Sequence, residues 1–216
     1  MNLLERNFPK LKSLSVVSPK FYLRPSKEVA RDLLGKFILR FIDGEDPLLA
    51  RIVETEAYEG ANDPASHAYR GVTDRTRPMF EQGGVAYVYF TYGMHHCLNV
   101  VTGKKGTGEA VLLRAAEPLS GQQVMYRNRG LSSSMKPKLL LSGPGKLCQA
   151  LGVDLDLNFH KLGHPPLQIM ELKNDARTGA IKATPRIGIS KAKELPYRFC
   201  LKDSDCLSRR LAPSGT

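Results

Sequence analysis

What the chain lacks narrows its class first. Its four cysteines, Cys97, Cys148, Cys200 and Cys206, are scattered, with no CxxC and no ligand spacing of the kind zinc sites use, so no zinc site is expected. Two of them sit in apolar runs and read as small core residues, a usage that fits a reducing compartment. No apolar run approaches the roughly 18 residues a membrane-spanning helix requires. The N-terminus carries no secretory h-region, so neither a membrane partner nor export is expected. No internal repeat, low-complexity block or second domain stands out, and the 216 residues read as one domain large enough to bury a core. Acidic residues are also short: 21 Asp and Glu stand against 32 Lys and Arg, a formal net charge of +11. That excess favours a polyanionic partner through counterion release, although ribosomal and membrane-surface proteins share the bias.

What is present concentrates in a few stretches. Val85 to Val101, VAYVYFTYGMHHCLNVV, alternates as a strand, turns near Gly93 and returns as a second apolar run. Period two puts Tyr87 and Tyr89 on one face, while Tyr92 falls on the other parity beside the glycine. Such a hairpin could line a slot with aromatics and wedge something apart with its tip; a core hairpin whose tyrosines fill space has the same pattern. Leu48 to Tyr58, LLARIVETEAY, is the second informative stretch. If that strand runs straight through, Ala50, Ile52, Glu54, Glu56 and Tyr58 share a face. Strands rarely spend core-facing positions on acids. The two glutamates are therefore either the solvated side of an edge strand or a general base at the mouth of a pocket.

Elsewhere the signals are weaker. Residues 1–20 read as a basic arm. Pro25-Ser26 opens a helix with Ser26 as its N-cap and Gly35 at its end, and Phe37 to Ile42 is a strand. Glu59 to Phe80 is a long polar connection, of a length that is often functional, with His67 inside it and Arg70, Arg75 and Arg77 able to meet phosphates. A lone histidine in a loop is more often an ordinary solvated side chain. Ala110 to Arg114 is a buried strand whose terminal arginine reads by default as salt-bridged and structural. Ser120 to Arg129 is helical. Leu141 to Leu151 is a glycine turn opening a short helix, where exposed N–H groups and Lys146 suit a phosphate as readily as a plain cap; the GxxxxGK[ST] spacing is absent. Asn174 to Ala180 is a loop, Thr184 to Ile189 reads as chain passing close to a site, Tyr197 to Leu201 as a closing strand, and the last ten residues as frayed.

An oddly placed acid, several aromatics, a wedge tyrosine and a basic background fit an enzyme that takes a base out of a duplex, grips it between rings and fills the gap. RIVETEAY at 51–58, the following His67, YVYFTYGM at 87–94 with Asn99, VLLRAAEPL at 111–119 and SGPGKLCQALG at 142–152 occur in that order. Together they resemble the alkyladenine (3-methyladenine) DNA glycosylase family, over about residues 20–202. The local pattern supports mixed helix and strand content. The resemblance supplies the architecture: an α+β fold, one compact domain, with a curved, mainly antiparallel sheet, surrounding helices and a protruding DNA-intercalating β-hairpin. It implies a catalytic domain over 21–202 between the 1–20 arm and a 203–216 tail.

The resemblance also implies roles, and no metal or organic cofactor. Glu56 is similar to the general base that deprotonates the attacking water, and Arg114 to the arginine that helps hold that water and a backbone phosphate. Tyr58, His67 and Tyr89 match residues that sandwich and contact the flipped base, with Met79 beside the lesion. Tyr92 matches the tyrosine inserted into the vacated gap, and Asn99 the asparagine that disfavours the 2-amino group of guanine. No lysine takes the role of a nucleophile, so the implied enzyme is monofunctional and leaves an abasic site, acting as a monomer on double-stranded DNA with damaged purines, inside the cell with the DNA. Spacing alone does not decide between Glu54 and Glu56, and His95-His96 is not a pairing the motif demands. Two other readings compete: a damaged-DNA-binding module that stacks bases without cutting, which would not need Glu56, and a glycosylase with lyase activity, which borohydride would trap on DNA.

Overall fold

The computed structural model describes residues 14–172 and 179–212. β1 (Leu14–Val16), α1 (Ser26–Asp32), β2 (Phe37–Arg40) and β3 (Leu48–Tyr58) open the described chain, followed by β4 (Ala86–Thr91), β5 (His95–Thr102) and β6 (Glu109–Ser120). Then come α2 (Gln122–Asn128), α3 (Pro144–Leu151), β7 (Leu167–Leu172), β8 (Ile181–Thr184) and β9 (Arg198–Leu201). The strands form one antiparallel sheet in the order β1-β7-β2-β3-β6-β5-β4, with β9 beside β3 and β8 beside β9. Helices and short 3-10 turns pack around it, an α+β arrangement.

β3 is the hub. It pairs with β6 along its length, while its other edge pairs first with β2 and then, from Glu54 to Glu56, with β9. The partner switch coincides with a double irregularity in the β3–β6 ladder. Ile52 faces Ala116 and Glu54 faces Ala115, so Val53 is an extra residue; Thr55 then faces Leu113, so Arg114 is the extra residue on the opposite strand. Each extra residue reverses the side-chain parity of the strand beyond it. Leu48, Ala50 and Ile52 therefore lie in the main core, and beyond the bulge it is Val53 and Ala57 that do so. The straight-through reading that put Ala50 and Ile52 on one face with Glu54, Glu56 and Tyr58 is corrected by this bulge. It turns both carboxylates out of the apolar core and toward the side where Arg114 waits.

Tertiary contacts also correct several local expectations. Ser26 is not an N-cap. It is the first helical residue, fully buried, and its N–H donates to the Glu109 carboxylate at 2.6 Å, which satisfies the first turn from another strand. The buried strand read as ending at Arg114 continues to Ser120, so Arg114 is mid-strand. The Glu59–Phe80 connection folds into three 3-10 turns, Gly60–Asn62, His67–Arg70 and Arg77–Phe80. Residues 1–13 of the expected arm and Asn174–Thr178 of the expected loop lie outside the described residues, but Leu14–Val16 is a strand on β7 rather than arm. The frayed reading does not hold at Ser208, which is hydrogen-bonded to Glu54. All four cysteines are buried and unpaired. No helix of the described residues is long and apolar enough to cross a membrane.

The tyrosine hairpin forms as β4 and β5, closed by the Thr91–His95 pair. Tyr92 and Gly93 both adopt left-handed φ angles, 52° and 67°, and Met94 N–H donates to Thr91 C=O at 3.2 Å, the pattern of a type I′ turn. Glycine is at ease there; tyrosine is not, and it is held at the tip with 83% of its surface exposed.

Candidate active site

A cavity of about 530 Å³ opens between the β4–β5 hairpin, the 63–67 turn and the 187–191 loop. Its walls include Tyr58, His67, Met79, Tyr89, Tyr92, Asn99 and Arg114, and also Tyr87, Cys97, Pro144 and Ile187. Seven of the nine residues singled out from the sequence thus converge on one space. Glu56 is the eighth: it is fully buried, off the wall itself, behind a floor formed by Tyr58, Arg114 and Ile187, to all three of which it is bonded or ion-paired. Lys146 is the exception. It is exposed on the first turn of α3, outside the wall, although Pro144 of the same turn lines the cavity.

The aromatic wall is ordered by mutual contacts. Tyr87 and Tyr89 lie on one face of β4 with ring centroids 5.3 Å apart, and His67 meets Tyr89 edge-on at 4.6 Å. His67 Nδ1 shares a hydrogen bond with the Tyr87 hydroxyl at 2.9 Å. Asn99, opposite Tyr87 across the hairpin, donates from Nδ2 to Tyr87 C=O at 3.1 Å. Burial, aided by the nearby Arg75 cation, pulls the His67 pKa down to about 4, and burial pushes the Tyr58 and Tyr89 phenols up. At neutral pH all three rings are uncharged.

Behind the floor lies a buried charge network. Glu56 Oε1 accepts from the Ile187 N–H at 2.7 Å; Oε2 accepts from the Tyr58 hydroxyl at 2.9 Å and lies 3.3 Å from an Arg114 terminal nitrogen. Glu54 Oε1 accepts from Arg114 Nε (2.9 Å), Arg198 Nε (2.7 Å) and the Ser208 hydroxyl (2.6 Å), and Oε2 accepts from the Ser208 N–H (2.6 Å). The two acids diverge accordingly. For Glu56, burial outweighs the pull of Arg114 and of its bonds from Ile187 and Tyr58, and its pKa is raised. For Glu54, burial is overcome by Arg198, Arg114 and Ser208, and its pKa is lowered. Arg114 stays cationic, because the two carboxylates more than offset its own burial.

Several of these groups had no local signal. Tyr87 shares the period-two face of Tyr89, and the 184–189 segment reads as passing close to a site, but the Asp63–Arg186 pair behind Tyr58 and the Ser208 contacts join residues far apart in the chain. Among the described residues no three His, Cys, Asp or Glu side chains are grouped so as to hold a metal ion.

Comparison with known proteins converges on one group. The profile of the Methylpurine-DNA glycosylase family matches residues 20–205. The chain is 48% identical over 191 residues to a protein of Carboxydothermus hydrogenoformans, covering 88% of this chain and 97% of the relative. It is 49% identical over 192 residues to one of Methanoculleus marisnigri, with the same coverage, and 45% identical over 207 residues to one of Methanocella arvoryzae, covering 91% and 98%. All three are provisionally named 3-methyladenine DNA glycosylases. The chain belongs to the methylpurine-DNA glycosylase family, DNA-binding hydrolases of base-excision repair.

Proposed function

We propose that this protein is a monofunctional glycosylase, acting as a monomer, that flips alkylated or deaminated purines out of duplex DNA and hydrolyses the N-glycosidic bond, leaving an abasic site. 3-Methyladenine, 7-methylguanine and hypoxanthine are its substrate range, with ethenoadenine at its edge. The observation that carries this reading is Glu56: a fully buried carboxylate held by two hydrogen bonds and an arginine directly behind an aromatic cavity. A stacking module has no use for such a group, whose burial costs several kcal/mol unless it is paired.

Glu56 is the general base. Glu56 accepts two hydrogen bonds, one on each oxygen, with Arg114 paired beside it, which leaves capacity for the hydrogen of an attacking water, whereas Glu54 accepts four. The raised pKa of Glu56 also makes it the stronger base of the two. Arg114 orients the water and balances the charge at the pocket floor. Tyr58, His67 and Tyr89 grip the extruded base. All three rings are neutral, so none of them repels a cationic methylpurine, and a tyrosine face attracts it by about 0.5–2 kcal/mol. Asn99 faces the base edge and disfavours the 2-amino group of guanine, Met79 lies beside the lesion, Tyr92 fills the vacated stack, and Lys146 meets a phosphate.

The test uses duplex oligonucleotides with a single hypoxanthine, incubated with the protein or with Glu56→Gln and then treated with hot alkali. Alkali-dependent breaks from the wild type, reduced roughly 10²–10⁴-fold in Glu56→Gln, are expected. Tight lesion binding without base release by either protein would sink the enzyme reading in favour of the binding module. Breaks without alkali, or a borohydride-trapped adduct, would indicate a lyase.

A further inference from the structure

The C-terminal segment reaches into the charge network behind the pocket. Ser208 places two donors on Glu54, its hydroxyl and its N–H, both at 2.6 Å, and its hydroxyl oxygen accepts from an Arg114 terminal nitrogen at 3.2 Å. Arg114 Nε, Glu54 Oε1 and the Ser208 hydroxyl thereby close a ring of hydrogen bonds on one edge of the guanidinium. The other terminal nitrogen is left to face Glu56. The segment is fixed on both sides of Ser208: Cys206 is buried in the main core, and Arg209 C=O accepts from Arg198 at 2.8 Å, while Arg198 itself binds Glu54.

A guanidinium held only by Glu54 through Nε could still swing about that one bond, because a single contact sets distance but not the plane. The Ser208 oxygen, bridging the acid and a second guanidinium nitrogen, fixes the plane. We propose that Ser208 is a positioning residue for base excision, which orients the Arg114 fork toward Glu56 and the water, and that the C-terminal segment is thus part of the catalytic machinery. This inference rests on the glycosylase reading given above. The hydroxyl does not touch the reacting atoms; it acts through Arg114.

Ser208→Ala keeps the backbone N–H on Glu54 but loses the bridging oxygen. Single-turnover excision of hypoxanthine should fall roughly 10- to 100-fold, the scale of an ångström-level misplacement in an active site, with the affinity for lesion DNA unchanged. Ser208→Thr, which retains the hydroxyl, should restore most of the rate. The near-isosteric Ser208→Cys, which lacks a strong bridging oxygen and opens no cavity, should behave like Ala and serves if the Ala variant does not fold. Wild-type excision rates in folded Ser208→Ala or Ser208→Cys overturn the inference, as does a loss that Thr fails to restore. Inactivity of the wild type in the same assay overturns the glycosylase reading instead, and this inference with it.

Discussion

Arg186 closes over Tyr58 from outside the cavity: its guanidinium carbon stands 4.7 Å from the ring centroid, while the hydroxyl of the same ring donates to Glu56. Arg186 also forks onto Asp63, with one bond at 2.8 Å and a second, shorter one, and donates to Ala57 C=O at 2.9 Å. Both charged side chains of that pair are fully shielded from solvent. One cation thereby ties the turn before His67, the end of β3 and the loop that supplies the Ile187 N–H.

That arrangement predicts a stability effect. Asp63→Ala leaves a buried guanidinium without its counter-charge, and breaking a buried pair from one side costs about 3–5 kcal/mol. Urea denaturation followed by circular dichroism should show this loss. Replacing both partners, with Arg186→Met added, should recover part of it, since no buried charge is then unpaired. A loss below about 1 kcal/mol in Asp63→Ala would mean that the pair contributes no more than a surface bridge does.

The opposite pKa displacements of the two glutamates predict the pH dependence of excision. Glu56 acts ionised, and its pKa is raised by burial, so the rate should fall as the pH drops through a value above the ordinary 4.5 of a glutamate. His67, held at about 4, stays mostly neutral above pH 5 and therefore contributes little to that limb. Arg114→Gln removes the principal attraction that opposes burial, so its acid limb should move to still higher pH. Single-turnover rates on a hypoxanthine duplex between pH 4.5 and 8, with folding checked at each pH, measure both. A limb at or below 4.5 in the wild type, or one unmoved by Arg114→Gln, would remove Glu56 from the role of base.

How far the sequence reaches into this site depends on the range of the interactions. β3 is legible with its observed limits because an 11-residue, largely apolar run without glycine or proline, with acids at alternate places, is a local signal. The hairpin is legible because Tyr-Gly between alternating runs is local turn chemistry. The bulge at Val53 and Arg114 is not, since it exists only in the pairing of two strands, and so unbroken parity groups Ala50 and Ile52 with the wrong neighbours. The partners of the acids are less legible still. Asp63 and Arg186 are 123 residues apart, and Glu54 and Ser208 are 154 apart. A tail that is polar and short of apolar residues looks frayed until the buried charge it satisfies is known.

Tyr92 allows the cleanest separation of function from fold. The side chain is 83% exposed and sits at a left-handed φ that a tyrosine adopts at some cost. Nothing in the core depends on it, so Tyr92→Ala should change stability by no more than about 0.5 kcal/mol. If the ring fills the gap left by an extruded base, its loss leaves part of the unstacking penalty, a few kcal/mol, uncompensated. Excision of hypoxanthine from duplex DNA should then slow by roughly 10- to 100-fold, since each 1.4 kcal/mol is about a factor of ten. The same variant on a single-stranded oligonucleotide should lose little, because no stack has to be held open there. The ratio of the two losses is the informative quantity. Equal losses on both substrates would place Tyr92 in the pocket wall alone, where it also contributes, and would deny the hairpin tip its role in the duplex.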